Sequence, residues 1–216
     1  MQLNQYIDHT ILKATASPKD IVQLCAEAIQ FKFYAVCVNG CYIKLAKSEL
    51  KNSKVKIAAV IGFPLGAMST ESKIGEAAQC VADGADEIDM VINIGLLKAG
   101  QVDLVEDEIA AIKKAIGKQV LKVIIETCYL TNEEKKMACR AALNAGADFV
   151  KTSTGFGTGG ATIEDVKLMK AEVGDKLKIK ASGGIRDLKT ALEYIELGVS
   201  RLGTSSGIAL VTSKQL

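Results

Sequence analysis

Short apolar runs alternate with longer amphipathic stretches along almost the whole chain. Each apolar run has the length of a β-strand, and each intervening stretch has apolar residues at helical spacing. The alternation therefore predicts strands joined one after another by helices. The expected strands are residues 6–10, 35–38, 56–61, 87–92, 121–126, 149–152, 178–181 and 201–203.

Capping signals mark where the helices begin and end. Ser17 stands before Pro18 and an early acid, and Thr131 is followed three residues later by Glu134, as in a capping box. Thr162 precedes a similar acidic first turn. Glycine supplies the left-handed residue that stops a helix before the next strand. Helices are expected to stop at Gly84, Gly146 and Gly198.

The repeated strand–helix unit, roughly 25 residues long, favours an α/β fold of the (β/α)8 barrel type. The alternative is an open doubly wound sheet. Against it, no G-x-G-x-x-G follows the first strand, and the glycine-rich turns cluster after the last three strands. A chain of 216 residues is near the lower limit for a barrel, so its loops must be short. We expect one domain over residues 1–216.

Composition narrows the class of protein. A net charge of +2, with acids and bases interspersed, leaves no basic stripe for nucleic acid. The polar N-terminus does not resemble a signal peptide, and no apolar run approaches the ~20 residues that cross a bilayer. The six cysteines lie among apolar neighbours, which is typical of reduced thiols. These features predict a cytoplasmic protein without nucleic-acid or membrane partners.

Two consecutive strands end in lysine. Lys151 precedes the turn 152–155, and Lys180 precedes the turn 181–184. An ammonium group at the end of an apolar strand is costly to desolvate unless something pairs or uses it. Carboxyl ends of barrel strands meet at the active-site mouth, where Asp8 and Asp89 also lie. The two lysines therefore predict amine chemistry on a carbonyl substrate, although Asp89 and one lysine could instead form a structural ion pair.

A nucleophilic lysine must be a free amine near neutral pH. With an ordinary pKa of about 10.4, only about one lysine in 2,500 is deprotonated at pH 7, and lowering the pKa to ~7 takes roughly 4.6 kcal/mol. A second ammonium ~4 Å away supplies up to ~4 kcal/mol at an effective dielectric near 20. We therefore expect Lys180 to lower the pKa of Lys151, with partial burial adding the remainder.

Glycine- and serine-rich turns follow the last two predicted strands. Gly183 and Gly184 follow one strand, and the segment 203–207 follows the next. Each turn taken singly is ordinary turn chemistry. Barrels commonly bind phosphate at this place through backbone N–H groups, so the two turns together favour a phosphorylated substrate.

Metal ligands are scarce. His9 is the single histidine, so a zinc site built from several histidines is impossible. Cys37 and Cys41 lack a second cysteine pair that could complete a metal site. We interpret His9 as a packing or hydrogen-bonding residue. Carbonyl activation without a metal again indicates an imine.

Several strings of residues closely resemble the deoxyribose-phosphate aldolases, a family of class I aldolases. They follow the order of that family and span residues 6 to about 210. The resemblance implies a cytoplasmic barrel enzyme of deoxyribose phosphate catabolism, usually a homodimer, that needs no metal or cofactor. It would cleave 2-deoxy-D-ribose 5-phosphate to acetaldehyde and D-glyceraldehyde 3-phosphate. The strings are IDHT (7–10), EIDMV (87–91), KVIIET (122–127), FVKTSTGF (149–156), KASGGI (180–185) and RLGTSS (201–206).

The resemblance also assigns roles by position. Lys151 becomes the Schiff-base lysine, Lys180 its neighbouring ammonium, and Asp89 the acid/base that acts through a water molecule. Asp8 and Thr10 correspond to positions near the substrate hydroxyls. Cys37 corresponds to a cysteine near the pocket, for which we expect a packing role. The remaining pocket and phosphate positions are Thr154, Gly155, Gly183, Gly184, Gly203, Ser205 and Ser206.

Two positions depart from the family pattern. Phe156 stands where some members place a lysine near the phosphate, so phosphate binding here would depend more on backbone donors. The chain ends in VTSKQL (211–216), without the terminal tyrosine of some members. The route of the carbon-bound proton is therefore open.

Three other functions fit the residues. A different imine-forming aldolase could act on a ketose phosphate with the same lysine chemistry. A pyridoxal-phosphate enzyme would also use a lysine and a phosphate site, and would absorb near visible wavelengths. A barrel that only binds sugar phosphates would form no covalent adduct.

Overall fold

The strands close into a parallel barrel. The computed structural model describes residues 2–213. Each strand pairs in parallel with the next, and β8 returns to pair with β1, which excludes the open sheet and confirms the (β/α)8 barrel. The strands are β1 Ile7–Thr10, β2 Ala35–Asn39, β3 Lys56–Ile61, β4 Glu87–Val91, β5 Val120–Ile124, β6 Phe149–Lys151, β7 Lys178–Ser182 and β8 Arg201–Thr204.

Helices follow the strands at the positions that the capping signals predict. Ser17 and Thr131 form capping boxes, and the hydroxyl of Thr162 accepts a hydrogen bond from the backbone N–H of Asp165. Gly84 has a φ of 110° at the end of its helix, as expected. The helices are α1 Pro18–Gln30, α2 Ile43–Glu49, α3 Thr70–Asp83, α4 Ile94–Lys98, α5 Val102–Ile116, α6 Asn132–Asn144, α7 Ile163–Val173, α8 Leu188–Glu196 and α9 Gly207–Thr212.

Only β3 matches the expected range at both ends; the other strands differ from their expected ranges by one or two residues at one end or both. Two of these differences have a structural cause. Tyr6 belongs to the 3₁₀ turn Leu3–Tyr6, so β1 begins one residue later than expected. β5 ends at Ile124 because the chain turns at Glu126, which has the left-handed φ of 54°. A glutamate in that conformation is unusual and is held by the contacts of its side chain, described below.

The two faces of the barrel wall differ in chemistry. Outward-facing side chains, such as Ile88, Val123 and Val150, are buried in the large core between the strands and the helices. Inside the barrel, a smaller apolar group is formed by Leu12, Cys37, Ala58 and Val60. The buried charges of the other strands lie at alternate positions to these outward apolar residues, so the strand period directs the charges to the inside of the barrel.

In the described part of the chain, no helix combines the length and the apolar character needed to cross a membrane.

Candidate active site

Seven charged side chains meet inside the barrel, which we call the barrel cluster. It contains three carboxylates and four cations from six strands, and every member is buried. Buried charges are stable only when they are paired and hydrogen-bonded, so their partners decide what each can do. The members are Asp8, Glu87, Asp89, Lys122, Lys151, Lys180 and Arg201.

Asp89 lies at the centre of the barrel cluster. Its Oδ2 accepts hydrogen bonds from Lys151 Nζ and from Lys180 Nζ, each at 2.8 Å. Its Oδ1 accepts a hydrogen bond of 2.8 Å from Lys122 Nζ. The structure thus brings together the three residues expected to carry the chemistry. A simple ion pair between Asp89 and one lysine does not describe this arrangement, because one carboxylate serves three ammonium groups.

A second layer of charges lies against the first. Asp8 accepts hydrogen bonds from Lys180 at 2.5 Å and from Arg201 at 2.8 Å. Glu87 contacts Lys122 at 2.5 Å and Arg201 at 3.3 Å. The guanidinium of Arg201 also stacks on the ring of Tyr34. The carboxylates are therefore bridged to one another by cations.

Sequence reasoning did not assign Glu87, Lys122 or Arg201 to the site. A signal was present for two of them. Glu87 stands two residues before Asp89 on one strand, and hence on the same face, while Lys122 interrupts the apolar run of β5. Their burial depends on closure of the barrel, which the local pattern does not report.

The surroundings favour a neutral amine at Lys151. Burial lowers the pKa of Lys151; Asp89 opposes this, and the charge of Lys180 reinforces it. Burial is the largest cause, ahead of Lys180. The sequence predicts the opposite order, because the local pattern does not show how deeply Lys151 lies in the barrel.

The neighbouring groups are held in their charged forms. Burial disfavours the ammonium of Lys180, but Asp8 and Asp89 outweigh it and raise its pKa. Burial likewise opposes ionisation of Asp89, yet Lys122, Lys151 and Lys180 hold its pKa well below the ordinary value. Burial also opposes ionisation of Asp8, but Lys180, Arg201 and Lys122 bring its pKa to about 2. Lys151 is thus the cation of the mouth best able to lose its proton.

A cavity of about 330 Å³ opens at the carboxyl ends of the strands, with Lys151 in its wall. Such a volume is at the lower end of the range typical of small-molecule sites. The cavity gathers most of the expected pocket residues at the carboxyl ends of β1, β6, β7 and β8 and on the loops that follow β6, β7 and β8. Those that line it are Thr10, Lys151, Thr154, Gly155, Gly183, Gly203 and Ser205.

Other expected residues lie outside the lining of this cavity. Asp8, Asp89 and Lys180 belong to the barrel cluster, in contact with Lys151 or with one another. Cys37 is buried in the inner apolar group, and burial raises the pKa of its thiol, which agrees with packing. Gly184 is exposed.

Ser206 is also outside the lining. Its backbone N–H donates a 2.9 Å hydrogen bond to Thr204 Oγ1 and is therefore already engaged.

Several lining residues were not expected from the sequence. The side chain of Lys13 is 55% exposed, and its Nζ lies 3.7 Å from Asp20 Oδ1. Phe156 was expected near the phosphate only as a departure from the family. Its ring is half exposed and meets Phe63 edge to face, with centroids 5.3 Å apart. One wall of the mouth therefore offers a cation and another an apolar surface.

The loops at the mouth are fixed by tertiary contacts. The carboxylate of Glu126 accepts hydrogen bonds from the backbone N–H and the hydroxyl of Thr154, and Thr154 Oγ1 accepts one from Phe156 N–H. Gly183 packs directly on Gly160, where a Cβ at position 160 would lie 2.3 Å from the carbonyl oxygen of Gly183. This close approach requires glycine and sets the distance between the β6 and β7 loops.

His9 lies beside the mouth and does not enter it. Its Nε2 lies 2.7 Å from Glu27 Oε2, which confirms the interpretation of His9 as a hydrogen-bonding residue. Across residues 2–213, no group of three or more His, Cys, Asp or Glu side chains is arranged to hold a metal ion.

Comparison with known proteins gives consistent matches over nearly the whole chain. The family model described as DeoC/LacD family aldolase matches residues 3–210. A deoxyribose-phosphate aldolase from Finegoldia magna is 59% identical over 211 residues, which are 98% of this chain and 99% of the relative. A deoxyribose-phosphate aldolase from Thermococcus gammatolerans is 58% identical over 215 residues, covering 98% of this chain and 96% of the relative.

Solved structures agree with the sequence matches. A structure described as QR15, an aldolase, superposes with a TM-score of 0.93 at 46% identity, covering 97% of this chain and 94% of that one. A tetrameric deoxyribose phosphate aldolase from Aeropyrum pernix superposes with a TM-score of 0.89 at 30% identity, covering 97% and 89%.

Proposed function

Because this chain belongs to the DeoC/LacD family of aldolases, we propose that it reversibly cleaves 2-deoxy-D-ribose 5-phosphate through a Schiff base on Lys151. The products are acetaldehyde and D-glyceraldehyde 3-phosphate, and the reaction serves deoxyribose phosphate catabolism. One observation carries the assignment of the nucleophile. Lys151 is buried with a lowered pKa, contacts Asp89 at 2.8 Å, and yet lines the open cavity.

The first step is formation of the imine. The neutral Nζ of Lys151 adds to the C1 aldehyde of the open-chain sugar, and loss of water gives an iminium ion. Burial and the neighbouring charge of Lys180 both favour the neutral amine. Because two carboxylates hold Lys180 as an ammonium, it acts as a fixed positive charge and leaves the attack to Lys151.

The second step breaks the carbon–carbon bond. Asp89, acting through a water molecule, removes the proton of the C3 hydroxyl, and the C2–C3 bond cleaves. The bonding electrons move into the iminium, which leaves an enamine on Lys151 and releases D-glyceraldehyde 3-phosphate. Protonation of the enamine carbon and hydrolysis of the resulting imine release acetaldehyde and restore the free amine.

Phosphate recognition is supported by the composition of the mouth. Gly155, Gly183 and Ser205 line the cavity on three neighbouring loops, where backbone N–H groups can bind an anion. Lys13 lines the same cavity and supplies the positive charge that Phe156 does not. We assign the phosphate to this part of the mouth.

Reductive trapping tests the nucleophile. The protein is incubated with acetaldehyde and borohydride, digested and mapped by mass spectrometry. We expect a single ethyl group on Lys151. Lys178 is the matched control, since it lies on the neighbouring strand β7 but is exposed, and Lys178→Ala should not change the labelling. An ethyl group at another residue, or no label, would refute the assignment.

A substrate panel tests the reaction. We expect retro-aldol cleavage of 2-deoxy-D-ribose 5-phosphate and much slower turnover of ketose phosphates. The activity should persist after dialysis against EDTA, because the imine replaces a metal as the electron sink. Loss of activity on chelation would contradict a metal-independent mechanism.

We also propose the setting in which the enzyme works. All six cysteines are free thiols, which supports a reducing compartment such as the cytoplasm. We take residues 1–216 as one domain that assembles as a homodimer. Light scattering on the purified protein checks this assembly, and a tetramer like the one described for the Aeropyrum pernix relative would contradict it.

A further inference from the structure

The charges behind Lys151 include two residues to which the reaction proposed above gives no role. We propose that Lys122 and Glu87 are positioning residues, which aim one oxygen of Asp89 at Lys151 and fix the charge balance that lets Lys151 react as a free amine. This inference rests on the proposed function, and it assigns to the two residues an effect that can be measured separately from imine formation.

The first argument is the division of Asp89 between its two oxygens. Lys122 binds Oδ1 at 2.8 Å, while Lys151 and Lys180 both bind Oδ2 at 2.8 Å. A carboxylate can rotate about its bond to Cβ, and an ion pair on one oxygen restrains that rotation. Lys122 therefore keeps the second oxygen directed at the amine that attacks the substrate.

Glu87 in turn positions Lys122. Its carboxylate lies 2.5 Å from Lys122 Nζ, and both side chains are almost completely buried. An ion pair at the end of a buried, long side chain selects one of its rotamers, so Glu87 fixes the point from which Lys122 donates to Asp89.

The second argument is the charge balance. Three carboxylates can balance three cations, and the barrel cluster contains four. Lys122, Lys180 and Arg201 each contact at least two of the carboxylates. Lys151 contacts Asp89, which it shares with two other lysines. Lys151 is therefore the cation in excess, and it becomes neutral at the lowest cost.

The titratable and charged groups around Lys151 come from most of the barrel wall. The carboxylates are Asp8 on β1 and Glu87 and Asp89 on β4. The cations are Lys122 on β5, Lys180 on β7 and Arg201 on β8, and the thiol is Cys37 on β2. At the mouth, the carboxylate of Glu126 is engaged by Thr154.

The balance makes opposite predictions for the two residues. Lys122→Met removes one cation, so Lys151 becomes necessary as a counter-charge and holds its proton to higher pH. Glu87→Gln removes one carboxylate, so the excess of positive charge grows and Lys151 loses its proton more readily. For a unit charge at ~7 Å and an effective dielectric near 20, each shift is roughly one to two pH units.

The experiment measures, as a function of pH, the initial rate at which borohydride reduces the imine formed between acetaldehyde and Lys151. The midpoint should move to higher pH in Lys122→Met and to lower pH in Glu87→Gln. The double variant removes one charge of each sign and should return to within roughly half a pH unit of the wild type. If the single variants acted only through lost packing, the double variant would instead be more impaired than either single variant.

Two controls separate positioning from general damage. Lys73→Met removes another fully buried lysine, one that pairs with Glu108 between α3 and α5, and should leave the midpoint unchanged. Lys122→Arg keeps the charge and should also keep the midpoint. Thermal unfolding is recorded for every variant. If Lys122→Met does not fold, the direction of the Glu87→Gln shift decides the question.

Some outcomes would overturn the inference. They are shifts of the same sign in both single variants, a midpoint that does not move, or a double variant that stays as displaced as Lys122→Met. In all these cases an ethyl group on Lys151 at high pH would leave the proposed function intact. Absence of that adduct from the wild type would refute the proposed function itself.

Discussion

Two groups of buried charges in this molecule differ in how their charges balance. Between α3 and α5, Lys73 and Glu108 form a pair at 2.8 Å, and Lys73 also donates to the backbone carbonyl of Val91. Inside the barrel, three carboxylates face four cations. The first group is closed and complete, whereas the second has a cation in excess at the edge of a cavity.

A lowered pKa does not by itself distinguish the two groups. Burial lowers the pKa of Lys73 although Glu108 opposes it, and burial likewise lowers the pKa of Lys151 against Asp89. The difference is access and imbalance. Lys73 is fully buried, whereas Lys151 lines the cavity and shares its carboxylate with two other cations. A reactive lysine is therefore recognised by its neighbours and its exposure to substrate together.

The largest effect should come from removing the amine of Lys151. Lys151→Met should lower kcat/KM by a factor on the order of 10⁴ or more, because the covalent route is lost. Lys73→Met, measured below its unfolding temperature, should retain most of the activity. The measurement is cleavage of 2-deoxy-D-ribose 5-phosphate. Substantial turnover by Lys151→Met would show that Lys151 is no more important for catalysis than Lys73.

For stability, unlike for activity, we expect the substitution of Lys73 to have a larger effect than the substitution of Lys151. Lys73→Met leaves Glu108 buried without its cation and should lower the free energy of unfolding by about 3–5 kcal/mol. Lys151→Met removes the excess cation and should cost less than about 1 kcal/mol, or stabilise. Urea unfolding at pH 7 measures both values. A loss of stability in Lys151→Met as large as in Lys73→Met would show that the barrel cluster contains no excess charge.

The excess positive charge in the barrel cluster also predicts how the free energy of unfolding changes with pH. The pKa of Lys151 is lowered in the folded state, so between that lowered pKa and the ordinary value the unfolded chain binds more protons at this residue. The contribution of Lys151 therefore makes the free energy of unfolding rise with pH until the pH reaches about 10.4, the ordinary pKa of lysine. This part of the slope should be absent in Lys151→Met.

Removing the charge of Lys180 tests whether a neighbouring cation keeps the pKa of Lys151 low. Lys180→Leu removes a cation bound to Asp8 and Asp89, so Lys151 should hold its proton more tightly. Activity should appear at a pH higher by roughly two to three units, from a charge ~4 Å away at an effective dielectric near 20. The pH profile of kcat/KM measures the shift. An unchanged profile would mean that burial alone sets the pKa of Lys151.

Local signals in the sequence were sufficient for the fold. Ser17 and Thr131 mark helix starts because a hydroxyl and an acid three residues later satisfy the backbone donors of the first turn. The strand expected at 149–152 was evident because its apolar residues lie between the helix stop at Gly146 and a glycine-rich turn, and the structure shows it at Phe149–Lys151. Such signals depend only on neighbours in the chain.

The site was predictable only in part. Lys151 and Lys180 could be found because barrel strands direct their carboxyl ends to one mouth. Lys122 and Arg201 lie earlier on their strands, where a charged residue can equally face solvent, and their burial depends on closure of the barrel. The turn at Glu126 depends on its contact with Thr154, 28 positions along the chain, which no local pattern encodes.

The smallest effect should come from an exposed lysine, which sharpens the contrast with both buried groups. Lys13 is loosely paired with Asp20 at 3.7 Å and lines the phosphate side of the mouth. Lys13→Gln should raise KM for the phosphorylated sugar by several-fold, up to about tenfold, and leave kcat unchanged. The effect should fade at high salt and be absent for unphosphorylated 2-deoxyribose, because only the phosphate senses this charge. Lys19→Gln, an exposed lysine of α1 outside the cavity, is the matched control, and an equal rise in KM there would show that Lys13 acts only through the net charge of the protein.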